Sequence, residues 1–194
     1  STPKPSSAAS DVYKRQNMWM QLLKLNDPLL RQKSERFDFS SPQMDPMQLH
    51  EMLRDKICEL KTLGLSAPQL GIMVRVFAFG NPDDPNSIMS VFNPRIVNYG
   101  SELDIYEEQC STFPGLFLKV KRPTTIRMRY SNQEGNTETH NFQGITARVA
   151  LHEIDHLDGI LFTERANRYH LDQAKRRKLK LDRVRKANDR QAAL

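Results

Sequence analysis

The stretch from Ile145 to Leu157 is apolar around most of a helical circumference, through Ile145, Ala147, Val149, Ala150, Leu151, Ile154 and Leu157, yet it carries His152, Glu153 and His156. A helix of that kind belongs inside a protein. Its buried polar side chains need partners, so the rest of the chain has to fold around it and supply them. Two imidazoles at i and i+4 lie one turn apart on the same helix face, and both can reach one divalent ion. Adjacent helix positions point about 100° apart, which makes Glu153 a base beside the ion and not a ligand.

Two ligands leave the site incomplete. A metzincin would continue H-E-x-x-H-x-x-G-x-x-H; the match runs through Gly159 and fails at Phe162, which cannot bind a metal. A thermolysin-like site takes a glutamate from a later helix, and Glu164, the only glutamate after Glu153, follows His156 too closely to serve easily. Upstream, Glu108-Gln109-Cys110-Ser111-Thr112-Phe113-Pro114 places one of the two cysteines in a turn-like segment. Its thiolate would give a Cys-His-His site with one position open. Cys58 falls in the amphipathic pattern Leu49, Met52, Leu53, Ile57, Leu60, and reads as a packing residue.

The remaining pattern is that of an α+β protein: small mixed or antiparallel sheets around the central metal helix, with a C-terminal helix. Asp45-Pro46 reads as a helix start, and the helix should run to Leu63, with Gly64 ending it. Strands are expected at 73–79, 88–92, 95–99, 117–121 and 124–130, and a turn at 132–136 leads to another at 137–142. With 194 residues and 38% hydrophobic content, one core suffices. No run of 18 apolar residues is present, so no membrane partner is expected, and nothing points to DNA. Two cysteines without a framework of pairs suit a reducing compartment.

Charge divides the chain. From Glu164 onward there are 11 Lys+Arg against 4 Asp+Glu, so the net +6 of the protein belongs to its tail. The pattern Leu171, Ala174, Lys178, Leu179, Leu181, Val184 fits a helix with a thin apolar stripe and a broad basic surface, either simply solvated or facing RNA. Residues 1–19 read as a disordered extension, a weak organellar transit peptide, or a cloning or sequencing remnant ahead of a native start near Met18 or Met20. The expected division is therefore 1–19, a catalytic unit over 20–165, and a basic helix or tail over 166–194.

Three segments in order, Gly64-Leu65-Ser66-Ala67-Pro68-Gln69-Leu70-Gly71, Glu108 to Pro114, and His152 to Gly159, resemble the signature motifs of peptide deformylases. The first motif departs from the family at Thr62, which stands where a glycine is usual. The second departs at Gln109, Ser111 and Thr112, where glycine, leucine and serine are usual. Gln109 raises a specific question, since a glycine used for positive φ or for close substrate approach would leave a side chain there straining the loop or narrowing the cleft.

The resemblance implies a metal-dependent hydrolase that removes the formyl group from N-formylmethionyl peptides and releases formate. It implies Cys110, His152 and His156 as metal ligands, Glu153 as the proton shuttle, and the Gln69 amide and Ser111 backbone N–H as donors to the reacting oxygen. Leu63, Gly64, Leu65, Gln109, Ile145 and Val149 are the expected substrate contacts. Fe(II) is implied in the cell, with Zn, Ni or Co as replacements. Ribosomes are a candidate partner for the basic tail, and the cytoplasm, or an organellar matrix if residues 1–19 are a transit peptide, is the expected location. Arg122 and Arg148 compete for Glu108 and Asp155, in an order that sequence does not rank. An H-E-x-x-H metallopeptidase and a weakened deformylase-like RNA-binding module are the alternatives; a full set of ligands and a base argues against the second.

Overall fold

A computed structural model describes residues 21–192. The N-terminal extension expected over residues 1–19 lies outside the described residues. Among the described residues, seven strands form two antiparallel sheets. β1 (Gly64–Ser66), β2 (Val76–Phe79), β3 (Met89–Tyr99), β6 (Thr125–Ser131) and β7 (Thr137–Gln143) make a five-stranded sheet in that order, and β4 (Leu103–Gln109) pairs only with β5 (Phe117–Pro123). The helices are α1 (Pro46–Leu60), α2 (Gly144–Leu157), the single turn α3 (Phe162–Arg165) and α4 (Arg168–Ala192).

Helix α2 is the expected central helix. Ala147, Ala150, Leu151 and Leu157 on it pack against Phe77, Phe79, Val91, Ile126, Met128 and Tyr130 of the large sheet. Helix α1 closes another part of the core through Leu49, Leu53 and Ile57, which meet Leu65, Val76, Ala78 and Phe92. A third cluster joins Leu118 and Val120 of β5 to Cys110, Phe113, Leu116, Leu161 and Phe162, and Leu171 and Ala174 of α4 lie against it. The metal helix thus has the large sheet on one side and the β4–β5 hairpin on another.

Three expectations are corrected. Helix α1 starts as read, with the Asp45 carboxylate accepting the Gln48 N–H, but it ends at Leu60, where Lys61 takes a left-handed conformation (φ 53°) and its N–H returns to the Ile57 carbonyl. Gly64 opens β1 and is no cap. The strands expected at 88–92 and 95–99 are one strand, because Asn93 (φ 52°) and Pro94 sit at a register shift between Phe92 and Arg95. There the Asn93 side chain takes the Phe37 N–H at 2.8 Å and donates to the Phe37 carbonyl at 2.9 Å, so the break that proline signals is absorbed as a bulge. Strands β1 and β4 were not anticipated: one is three residues long, and the other carries three acidic residues that hide its alternation.

Gly64 holds its place for lack of a side chain. A Cβ there would stand 2.7 Å from Val149 Cγ1 and 2.9 Å from Glu153 Oε1, so glycine lets β1 lie directly on α2. Gly159 does the same after α2, with φ +71° and room for no Cβ against the Arg31 carbonyl at 2.6 Å. Gly64→Ala is expected to lower stability by about 1–3 kcal/mol through overpacking, measured by urea unfolding; an unchanged midpoint with unchanged slope would show that the two elements separate freely.

Candidate metal centre

Cys110 follows the last residue of β4 and starts a compact turn in which the Phe113 N–H bonds the Cys110 carbonyl at 2.9 Å and the Leu116 N–H bonds the Phe113 carbonyl at 3.1 Å. The Phe113 ring packs edge-on against Phe162 at 5.2 Å, and Phe162 lies 5.6 Å from the His152 ring. These aromatic contacts set the turn against α2. One ligand atom from each of Cys110, His152 and His156 lies within 4.8 Å of the others, and all three residues are buried. Cys110 Sγ is 3.2 Å from His156 Nε2.

Glu108 organises the pocket behind them. Its Oε1 accepts from Arg122 Nε at 2.6 Å and Arg148 NH1 at 2.8 Å. Its Oε2 accepts from Arg122 NH2 at 3.0 Å and from the His152 Nδ1–H at 3.1 Å. With Nδ1 committed as donor, His152 Nε2 is the free nitrogen, the tautomer a metal ligand needs. Arg122 continues to Asp155 Oδ2 at 2.8 Å, and Arg165 bonds Asp155 from the other side. Both arginines named from sequence therefore serve Glu108, and Arg122 alone bridges to Asp155.

Charge at the site follows from this arrangement. Burial would raise the Glu108 pKa, but the hydrogen bonds from His152 and Arg122 bring it down to about 2. Burial also opposes a charged sulfur at Cys110, yet attraction to His156 and hydrogen bonds from both imidazoles hold the thiol well below its ordinary value. At His152 burial pulls downward, and the hydrogen bonds to Cys110 and Glu108 outweigh it, raising the pKa to about 10. A sulfur drawn toward its thiolate form beside two imidazole nitrogens is a donor set that a divalent cation can take.

Glu153 sits beside this set with Oε2 buried and lacking a hydrogen-bond partner among the described residues. An orphaned buried carboxylate oxygen is costly, and a water held at the site would satisfy it. Burial pushes the Glu153 pKa up from the usual carboxylate value, which suits a group that must take a proton and return it. His156 Nδ1 is likewise buried and unpartnered among the described residues. The residues present therefore fit a metal and its water.

Gln69 is held at both ends. Its Oε1 accepts the Ser66 N–H and the Ser66 hydroxyl, each at 2.9 Å. Its Nε2 then faces Thr112 Oγ1 at 3.1 Å and the Cys110 sulfur at 3.6 Å. Neither Ser66 nor Thr112 was singled out from sequence for this role, although Ser66-Ala67-Pro68-Gln69 is a legible capping box and the structure forms one.

A cavity of about 470 Å³ opens onto Cys110 and His152. Gln69, Cys110, Ser111, His152 and Glu153 line it, as do Leu63, Gly64, Gln109, Ile145 and Val149. Leu63 (45% exposed) and Ile145 (57%) stand at its mouth, so Ile145 does not join the buried face of its helix. Leu65 is the exception among the expected contacts. Its side chain is fully buried in the α1 cluster, because successive strand residues face opposite ways and Gly64 takes the cavity side. Gln109 is an ordinary strand residue paired with Phe117, and Lys61 and Asn93 are the only non-glycine residues with positive φ among those described. No strained loop is present at Gln109, which instead lines the cavity.

Residues 19–172 match the family model for polypeptide deformylase. A peptide deformylase of Prochlorococcus marinus (strain MIT 9515) is 34% identical over 152 residues, covering 77% of this chain and 74% of the relative. One from Desulforudis audaxviator is 36% identical over 146 residues, covering 75% and 92%. Among solved structures, the peptide deformylase of Synechococcus elongatus in complex with actinonin superposes with a TM-score of 0.76 at 29% identity, over 81% of this chain and 86% of that one. A Met-Ala-Ser-bound class I type b peptide deformylase of Acinetobacter baumannii gives 0.68 at 29% identity, over 75% and 96%.

Removing Arg122 would leave two buried carboxylates without the buried guanidinium they share. Arg122→Met is expected to cost about 3–5 kcal/mol, the range for breaking a buried charge pair from one side. Chemical unfolding at neutral pH measures it, and a loss below about 1 kcal/mol would mean that Arg148, Arg165 and His152 satisfy both acids unaided.

Proposed function

The chain belongs to the polypeptide deformylase family and is an enzyme of that class, and we propose that its metal site removes the formyl group from N-formylmethionyl peptides, releasing formate. The observation that carries this reading is the convergence of Cys110, His152 and His156 next to the orphaned Glu153 carboxylate, at the wall of a cavity wide enough for a side chain. A divalent metal held by those three residues would supply Lewis-acid activation of water and of the formyl carbonyl. The thiolate and imidazole set accepts Fe(II), Zn, Ni or Co, and the family resemblance favours Fe(II) in the cell.

The chain's own residues account for the remaining steps. Glu153 takes a proton from water as the oxygen adds to the formyl carbon. Negative charge gathers on the former carbonyl oxygen, toward which the Gln69 Nε2–H and the Ser111 backbone N–H are available as donors. The carbon–nitrogen bond then breaks, Glu153 passes its proton to the departing amine, and formate and a free N-terminus result. Leu63, Gly64, Ile145 and Val149 offer the methionine side chain an apolar wall, and Gln109 and Ser111 offer the facing polar one. A formyl carbon bears only hydrogen beyond its amide, so a tight site can admit it and exclude larger acyl groups.

Helix α4 supports the second part of the proposal, a contact with ribosomal RNA near emerging substrate, in the cytoplasm or an organellar matrix. Its early turns pack on the body through Leu171 and Ala174. Farther on, Leu179, Leu181 and Val184 are 58%, 60% and 52% exposed among basic residues. No helix among the described residues is long and apolar enough to cross a membrane.

Protein loaded with Ni(II) or anaerobically with Fe(II) is expected to release formate from formyl-Met-Ala-Ser and no acetate from acetyl-Met-Ala-Ser. Acetate release at a comparable rate would redirect the reading to a general amide hydrolase. Cys110→Ala should lose the metal. Glu153→Ala should keep it while turnover falls at least about 100-fold, and Gln69→Leu should lower kcat by roughly the same factor with KM little changed.

For the basic helix, combined Arg176→Gln, Lys180→Gln and Arg183→Gln substitutions should leave tripeptide turnover unchanged. Ribosome co-sedimentation at about 50 mM salt should weaken, and its salt dependence should flatten. Equal sedimentation of the two proteins would leave α4 as a solvated helix.

A further inference from the structure

Cys110 belongs to the β4–β5 hairpin, whereas both histidines ride on α2. The hairpin is a separate two-stranded sheet that joins the five-stranded one at its base, where the Gly100 N–H bonds the Thr125 carbonyl at 2.8 Å and the Thr124 N–H bonds the Glu102 carbonyl at 2.9 Å. Two strands alone are marginal, so the distance between thiolate and imidazoles depends on what ties the hairpin to the helix. Apolar contacts of Phe113 and Phe162 tie the turn end. Along the strands Leu118 and Val120 of β5 add apolar contacts and Arg122 bonds Asp155, while one side chain of the helix makes several polar ties to both strands.

Arg148 stands one helical turn before His152. Its NH1 donates to Glu108 Oε1 at 2.8 Å and to the Val120 carbonyl at 2.9 Å, and its NH2 donates to the Asp104 carbonyl at 3.0 Å. Its guanidinium carbon lies 5.7 Å from the Tyr106 ring centroid. One buried residue of the metal helix thus grips both strands of the hairpin and the carboxylate two residues before Cys110. Arg148 and His152 hold opposite oxygens of that carboxylate, so the same group that fixes the His152 ring is fixed in turn by its neighbour on the helix. Only the planar, multiply donating guanidinium can span a carboxylate and two carbonyls at once.

We propose that Arg148 is a positioning residue of the metal site: it sets the distance of the β4–β5 hairpin from α2 and thereby keeps Cys110 at ligand reach of His152 and His156. Arg148 touches neither metal nor reacting atoms in this role. The inference rests on the reading of Cys110, His152 and His156 as metal ligands. Failure of that reading would show separately, as an unmutated protein that does not hold about one Ni(II) per chain.

The test is the rate at which Ni(II)-loaded protein gives up its metal to excess chelator, with thermal unfolding followed in parallel. Arg148→Met keeps length and apolar bulk while removing every donor, and it is expected to release Ni(II) at least about 10-fold faster, the scale seen when groups supporting metal ligands are removed. Leu53→Ala, in the separate α1 cluster, serves as a control that lowers Tm without touching the hairpin. Arg148→Lys, milder and more certain to fold, keeps a cation near Glu108 but cannot reach both carbonyls, and should fall between wild type and Arg148→Met. Release from Arg148→Met no faster than from Leu53→Ala, or wild-type release from Arg148→Lys, would overturn the proposal.

Discussion

The Glu108 carboxylate is the junction on which the site depends. Four hydrogen bonds end on it, two from Arg122, one from Arg148 and one from His152. A buried carboxylate is tolerable only when so saturated. Saturation here also does structural work, since its donors come from β5 and α2 while Glu108 itself is on β4. The charge that must be neutralised for the protein to fold is thus the charge that orients the imidazole for a metal, and stability and function draw on one set of bonds.

From that junction a second chain runs outward through Arg122 to Asp155 and Arg165. Asp155 lies between the two histidines in sequence, but adjacent helix positions point about 100° apart, which turns it away from His156 and out of the Cys110–His152–His156 group. It faces the arginines instead. The motif His152-Glu153-Ile154-Asp155-His156 therefore separates its polar residues: two histidines proposed as ligands, a glutamate proposed to carry the proton, and Asp155, which anchors the following turn through Arg165.

Legibility in the sequence tracked how local each feature was. The metal helix, its N-terminal neighbour α1 and the basic α4 were readable because 3.6-residue periodicity and caps are local signals. Cys110 was reachable by asking what could complete a two-histidine site and through the motif resemblance, while its spatial approach to the histidines depends on a hairpin whose first strand, Asp104 to Glu108 among its residues, reads as too acidic to be one. The ranking of Arg122 against Arg148 was unreadable, since both reach Glu108 through tertiary packing that no spacing rule encodes. Leu65 was misplaced for a simpler reason: a three-residue strand sends alternate side chains to opposite sides, and a motif match alone does not say which side is the cavity.

The positions that depart from the family pattern can be understood by what each is asked to supply. Ser111 replaces leucine at a position whose proposed contribution is its backbone N–H, and any residue but proline has one. Thr112 replaces serine and still offers a hydroxyl to Gln69 Nε2. Thr62 replaces glycine without a left-handed φ, its hydroxyl turned to the Gly64 carbonyl at 3.2 Å. Gln109 alone adds a group where none is usual, on an unstrained strand at the cavity wall. Ser111 and Thr112 thus keep a backbone donor and a hydroxyl and Thr62 an allowed φ, whereas Gln109 and Ser111 both bring polar side chains to the cavity wall.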